Sequence, residues 1–288
     1  VGCIGWDANE YVVGRVRVFE YSSSTWTPWT QIGEDIFTTT IVPPEYSVSM
    51  SILNLTKLSI SLSCDGGTVA VGTTVKNRHG STCVYKRTTL SPPTWIQVGS
   101  NITGFTNNTA FDSNIERCGH SVSLSSNGVI LAVGSTNEFT SIAKNDFTSP
   151  IQIQGIVRVY EYYASTNSWN EIGNKVSPLV NTTNFGYSLS MSTDVVSITL
   201  AIGSVTEPNA TLRDLEVWRF DKKERSWIKR GRSDIIKKYF TVTDVFHIYK
   251  VYKDFSGVVS LSADGCMVAI GAIGDDNSGH VMVYKYTG

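Results

Sequence analysis

Residues Gly119 to Ser135 read GHSVSLSSNGVILAVGS, and GIVRVYEY (Gly155 to Tyr162) and WNEIG (Trp169 to Gly173) follow downstream. Two strand-like runs meet at Asn127-Gly128, the residue pair that most readily supplies the two positive φ angles of a type I′ hairpin turn. A third run rich in Val and Tyr comes after a loop, and a fourth opens on Trp and stops on Gly. The stretch predicts a meander of four antiparallel strands.

The meander recurs along the chain, and a fixed period outranks local propensity as a guide to fold. A Gly expected to close the second strand stands in VGC (Gly2), VAVGT (Gly72), LAVGS (Gly134), LAIGS (Gly203) and VAIGA (Gly271), at intervals of 70, 62, 69 and 68 residues. An independent ruler is the fourth strand: WTQIG at Trp29, WIQVG at Trp95, WNEIG at Trp169 and WIKRG at Trp227. The first hairpin turn is Asp65-Gly66, Asn127-Gly128 and Asp264-Gly265. The fourth unit has Asp194-Val195 there, and losing the Gly predicts an unusual φ or a longer turn. The third strands VRVFEY (Val16 to Tyr21), CVYK (Cys83 to Lys86), VRVYEY (Val157 to Tyr162), EVWRF (Glu216 to Phe220) and VMVYKY (Val281 to Tyr286) carry apolar or aromatic residues on both faces.

A sheet wetted on one face would alternate polar and apolar residues, so both faces are expected to be covered. Small twisted sheets stacked face to face around an axis achieve this. A two-layer sandwich also yields short strands, but it has no reason to repeat the same four. The expected fold is therefore all-β, a β-propeller of four-stranded antiparallel blades forming a single domain over residues 1–288. About five units are visible, at approximately 1–42, 58–105, 119–178, 185–240 and 256–288, and the strands of Trp95 and Trp169 are expected in separate sheets. The end blades read as incomplete: the first lacks an inner strand and the fifth lacks a Trp-to-Gly strand. Between them, Tyr46 to Ser51 or Leu58 to Ser63 could open the second unit. The Asp65-Gly66 turn selects the latter and leaves the former as an inserted edge strand or loop.

Bulk properties narrow the partners. A net charge of −1 gives no reason to expect nucleic acid or an anionic membrane. Charged residues make up 17% and aromatic residues 11%, which fits β-rich surfaces dominated by Ser, Thr and Asn. No apolar run is long enough for a spanning helix, and no signal peptide is visible. The chain starts within a repeat unit, so its N-terminus reads as mature or truncated. The five cysteines, Cys3, Cys64, Cys83, Cys118 and Cys266, form no CxxC, fall at different repeat positions, and suggest neither a zinc site nor a disulfide. Sequons stand at Asn54, Asn101, Asn107, Asn181 and Asn209, all in expected loops, where a glycan costs no packing.

At Phe185-Gly186-Tyr187-Ser188 and Leu200-Ala201-Ile202-Gly203-Ser204, with echoes in GHSVSLS, LAVGS and VAIGA, the chain resembles the FG-GAP repeat of integrin α-chain-like propellers. The resemblance implies four-stranded blades and extracellular adhesion or interaction work. Many such blades hold calcium between their first two strands in a loop of several Asp and Asn residues. Here the connection has shrunk to turns such as SADGC and SSNGV, so calcium dependence does not carry over and no cofactor is expected.

Chemistry is sparse. The histidines are His79, His120, His247 and His280, and no G-x-S-x-G elbow accompanies them. His79 and His280 sit beside turn glycines and read as turn or packing residues. Cys118 and His120 lack two further ligands for a metal, and Asp275-Asp276-Asn277 reads as a solvated turn. The segment Asp221 to Lys238 carries eight basic and three acidic residues. Its Lys222, Lys223, Arg225, Lys229, Arg230 and Arg232 form a candidate patch for an anionic partner, against the simpler reading of a charge-protected edge strand. The repeated Trp residues read as blade packing rather than a sugar platform. The expected role is a non-catalytic extracellular glycoprotein module, engaged with protein partners or with itself in a surface, matrix or filament assembly. A glycan-binding or adhesion receptor domain is the alternative, and a propeller-fold glycoside hydrolase a further one.

Overall fold

A computed structural model describes residues 2–6, 12–23, 28–39, 57–75, 78–104, 114–139, 155–178, 184–194, 197–204, 215–230, 255–273 and 279–286; among them the chain is all-β, with no helix. The first unit comprises β1 (Gly2–Trp6), β2 (Val12–Val16) and β5 (Ile36–Thr39) in the order β1-β2-β5, beside a ribbon of β3 (Phe19–Tyr21) and β4 (Trp29–Gln31). The second holds β6 (Lys57–Leu62), β7 (Thr68–Val75) and β8 (Arg78–Arg87), with β9 (Trp95–Gln97) and β10 (Ile102–Thr103) both on β8. The third is β11 (Asn114–Leu124), β12 (Ile130–Phe139), β13 (Ile156–Tyr163) and β14 (Ser168–Glu171). The fourth is the sheet β15 (Ser188–Thr193), β16 (Ile198–Gly203), β17 (Leu215–Asp221) and β18 (Ser226–Arg230), in that order. The last is β19 (Phe255–Leu261), β20 (Met267–Ile273) and β21 (Gly279–Lys285). The run Tyr46 to Ser51 lies outside the described residues.

Contrary to the expectation from the sequence, the strands of Trp95 and Trp169 are not in separate sheets. They belong to a single nine-stranded sheet, with the path β14-β13-β12-β11-β8-β7-β6 and with β9 and β10 branching from β8, because β8 and β11 are joined in parallel at one pair, Cys118↔Gly80. The joint sits where β11 bulges between Cys118 and Ser121, which brings its backbone onto β8. Away from that point the two meanders lie face to face. Ala70, Val84 and Val98 of the second unit pack with Val122, Leu124, Leu131, Val133 and Tyr160 of the third.

Serine spacing explains how successive units are bound. The Leu124 amide donates to Ser61 Oγ (2.9 Å), the Met191 amide to Ser123 Oγ (3.0 Å), and the Leu261 amide to Ser190 Oγ (2.8 Å). Ser59 Oγ donates to the Gly119 carbonyl and Ser121 Oγ to the Gly186 carbonyl. The second serine of each S-x-S pair thus supplies a partner for an amide of the next unit, and in the second and third units the first serine does so for a carbonyl, whereas Ser188 Oγ has no such partner among the described residues. These serines act between units, not on the polar surface their abundance suggested.

Both sequence rulers acquire physical causes. Gly72 and Gly134 lie inside or near the middle of their strands, not at the ends. A Cβ on Gly72 would run into the Gly119 carbonyl, and one on Gly134 into the Gly186 carbonyl, so these glycines permit close backbone approach between units. The Trp-to-Gly ruler is also a contact between units. Trp95 Nε1 donates to the Ile32 carbonyl (2.9 Å), Trp169 Nε1 to Val98 (3.0 Å) and Trp227 Nε1 to Ile172 (3.4 Å).

The hairpin turns differ from the expected type I′. Only Gly66, Gly128 and Gly265 have positive φ; Asp65, Asn127 and Asp264 do not. Each turn is a four-residue connection in which the glycine amide returns to the serine carbonyl, as in Gly66 to Ser63, and the side chain of Asp65, Asn127 or Asp264 accepts from that serine and from the amide two residues on. An Asx-type cap does the work assigned to a second positive φ. The fourth unit has eleven residue steps from Ser192 to Gly203, against nine from Ser63 to Gly72. Its strands extend to the pair Thr193↔Ile198, closed by the Asp194 amide on the Ser197 carbonyl.

Candidate binding site at the converging first strands

The predicted site residues scatter. Asn101 is exposed, yet its Oδ1 accepts from Gln97 Nε2 (2.7 Å) and from Cys83 Sγ (3.3 Å). The first unit repeats this device with Gln31 Nε2 on Asp35 Oδ1 (2.8 Å), so Asn101 occupies a structural position of the repeat besides lying in a sequon. Asn54, Asn107, Asn181 and Asn209 lie outside the described residues, as do Arg232, His247 and Asp275 to Asn277.

The basic patch is not one surface. Lys222, Lys223 and Arg225 occupy the exposed turn between β17 and β18. Lys229 instead pairs at 2.7 Å with Glu216, whose side chain is 1% exposed and also accepts from Trp218 Nε1 (2.8 Å). Arg230 lies over the Tyr286 ring at 4.3 Å. Lys229 and Arg230 are thus engaged in packing the fourth unit and its contact with the fifth. Cys64, Cys83, Cys118 and Cys266 are free thiols, and no cluster of metal-ligating side chains occurs among the described residues.

The residues that do converge come from three different units. Lys57 opens β6, Arg117 and His120 lie on β11, and Tyr187 directly precedes β15. His120 follows Gly119 (φ +82°) and Tyr187 follows Gly186 (φ +84°), so the same left-handed step aims both rings. Their centroids are 4.8 Å apart, and Lys57 Nζ sits 4.6 Å from the Tyr187 centroid. Face-packed sheets are spaced by about 10 Å. Contact between the second and fourth units therefore requires the first strands to draw together at this end.

His120 is 7% exposed, and neither Nδ1 nor Nε2 has a hydrogen-bond partner among the described residues. Burial, with help from the charges of Lys57 and Arg117, pushes its pKa down to about 3. Burial also holds Lys57 below the usual lysine range. The imidazole is neutral near pH 7, offering one N–H donor and one acceptor beside a lysine that no described carboxylate pairs. A base with so low a pKa is poorly matched to proton abstraction at neutral pH. Cation, ring and neutral imidazole instead make a recognition site. Of these residues only His120 was weighed in the sequence; the readable signal was the side chain after Gly in GHS and GYS, which the repeat places at one end of successive first strands.

No family model matches the chain, and no curated protein matches it. Among solved structures, Kuenenia stuttgartiensis hydrazine synthase is similar at 12% identity and a TM-score of 0.46, over 97% of this chain and 70% of that one. A mutant of AofleA from Arthrobotrys oligospora is similar at 10% identity and 0.44, over 99% and 68%. The Pseudomonas aeruginosa periplasmic gluconolactonase PpgL gives 13% and 0.41, over 96% and 69%. Likenesses of this strength carry nothing about chemistry.

Proposed function

We propose that the chain is a β-propeller segment of the FG-GAP, integrin α-like kind, serving outside the cell as a glycosylated, non-catalytic interaction module within a surface, matrix or filament assembly. The observation that carries this reading is the contact of Lys57 in the second unit with Tyr187 in the fourth, across a third unit bonded to both. Sheets that repeat one set of contacts while their first strands converge wind about a common axis. Each unit then presents its loops on the same two ends, where propellers hold their binding surfaces. The low pKa of His120 supports binding over general-base catalysis.

Low-resolution imaging of the native particle tests the architecture: a disc with radial sheets is expected, and an extended rod overturns it. Treatment of natively produced protein with a peptide N-glycosidase tests the setting. Loss of mass at the sequons is expected, and an unchanged mass overturns the glycosylated reading.

A further inference from the structure

We propose that the junction of Lys57, His120 and Tyr187 is a binding site for a carboxylate group. The inference rests on this local geometry alone and holds whether or not the sheets close into a ring.

His120 is more than nine-tenths buried, and both of its ring nitrogens lack a protein partner among the described residues. Burying two such atoms is costly, and native structures almost always satisfy them with protein, water or ligand. Lys57 approaches the same Tyr187 ring that His120 packs against, and no described carboxylate pairs with it. An ammonium over an aromatic face keeps part of its charge available, because the ring supplies a quadrupole and no counter-ion. The Lys57 ammonium and one neutral N–H donor beside a flat aromatic wall suit a planar carboxylate, which accepts at both oxygens. The lowered basicity of His120 fits this: it contributes a donor without adding a further positive charge to those of Lys57 and Arg117.

The carboxylate could be carried by an acidic sugar or by an acidic peptide side chain. Both are tested by titrating the full chain, labelled with ¹⁵N in its histidines, with glucuronate and with N-acetyl-aspartate amide, beside their neutral counterparts glucose and N-acetyl-asparagine amide. Sodium chloride, sulfate and methyl phosphate at matched ionic strength serve as further arms. The His120 ring resonances, assigned by their loss in His120→Asn, should shift saturably with at least one carboxylate, at least tenfold more tightly than with its neutral counterpart. Whichever carboxylate binds identifies the source. Lys57→Met should weaken that binding at least tenfold, and Lys57→Arg should retain most of it. If Lys57→Met does not fold, Tyr187→Leu serves in its place and should weaken binding by removing the platform. Three outcomes overturn the proposal: no saturable shift with either carboxylate, a shift equal to that given by chloride, or tighter binding of sulfate or methyl phosphate.

Discussion

Leu62 and Leu124 hold the same place in the repeat, each following the serine that bonds the next unit, yet Leu62 is 47% exposed and Leu124 only 6%. The pair Ile60 and Val122 repeats the contrast, at 42% and 7%. The strands are alike in sequence; what stands in front of them differs. The face of β11 lies against the second unit's sheet. The face of β6 instead borders an apolar groove of about 680 Å³ that it shares with Val16, Val18, Phe19 and Trp29. Trp29 is 61% exposed, whereas Trp95 and Trp169 are partly buried and donate to a preceding unit. A unit of this fold does not own its core. Each face is dried by its neighbour, so the energetic worth of a residue depends on its position along the stack more than on its type.

The sharpest way to test that contrast is through ion pairs. Lys229 with Glu216 is enclosed in the fourth unit, while Arg17 with Asp35 lies in the first unit with the arginine 41% exposed. Lys229→Met strands a buried carboxylate and is expected to destabilise by roughly 3–5 kcal/mol. Adding Glu216→Gln to that variant should recover part of the loss. Arg17→Met should lower the urea midpoint only slightly, since exposed pairs contribute little. Equal losses for the two lysine and arginine variants would contradict the gradient.

Apolar truncation comes next. Leu131→Ala, at a fully buried position in the core between the second and third units, is expected to cost about 3 kcal/mol. Leu62→Ala should cost under about 1 kcal/mol, because its side chain already meets solvent. Urea unfolding of both variants is the check; a large loss at Leu62 would mean that something covers the groove in solution.

The repeat and the order of strands were legible because Gly72 and Gly134, and Trp95, Trp169 and Trp227, are contact residues between units and so return with the period. What stayed hidden was any property of one unit read against another. The sequence marks Ser61 or Ser123 as merely polar on a strand, and only stacking shows that each accepts the next unit's amide. Lys229 reads as one more charge in a basic run, since its partner Glu216 lies thirteen residues earlier on β17 and is recognisable only once β17 and β18 pair. The type I′ expectation failed for a local reason: Asp and Asn can fix a turn through the side chain as well as through φ. The site at Lys57, His120 and Tyr187 was illegible for the largest reason, because it joins three units whose angle to one another no single strand pattern encodes.

A further test uses pH, and again sets an enclosed group against open ones. His120 titrates near 6.5 when unfolded and at about 3 in the folded chain. Below pH 6.5 the unfolded chain binds a proton that the folded chain refuses, so stability falls as pH drops, by up to about 1.4 kcal/mol per unit. The loss continues until the folded pKa is reached. Asp35, Asp65 and Asp264 act in another window: hydrogen bonds from Arg17, Ser63 and Ser262, respectively, hold their carboxyls low, and what they contribute is lost only below about pH 4. Between pH 6.5 and 4 the enclosed histidine should dominate the slope, and His120→Asn should flatten it while leaving the decline below pH 4 in place. A carboxylate at saturating concentration would oppose the same slope, since an anion beside the ring eases its protonation; no effect of glucuronate or N-acetyl-aspartate amide on the pH 5 unfolding midpoint would separate a merely buried histidine from one that receives a ligand.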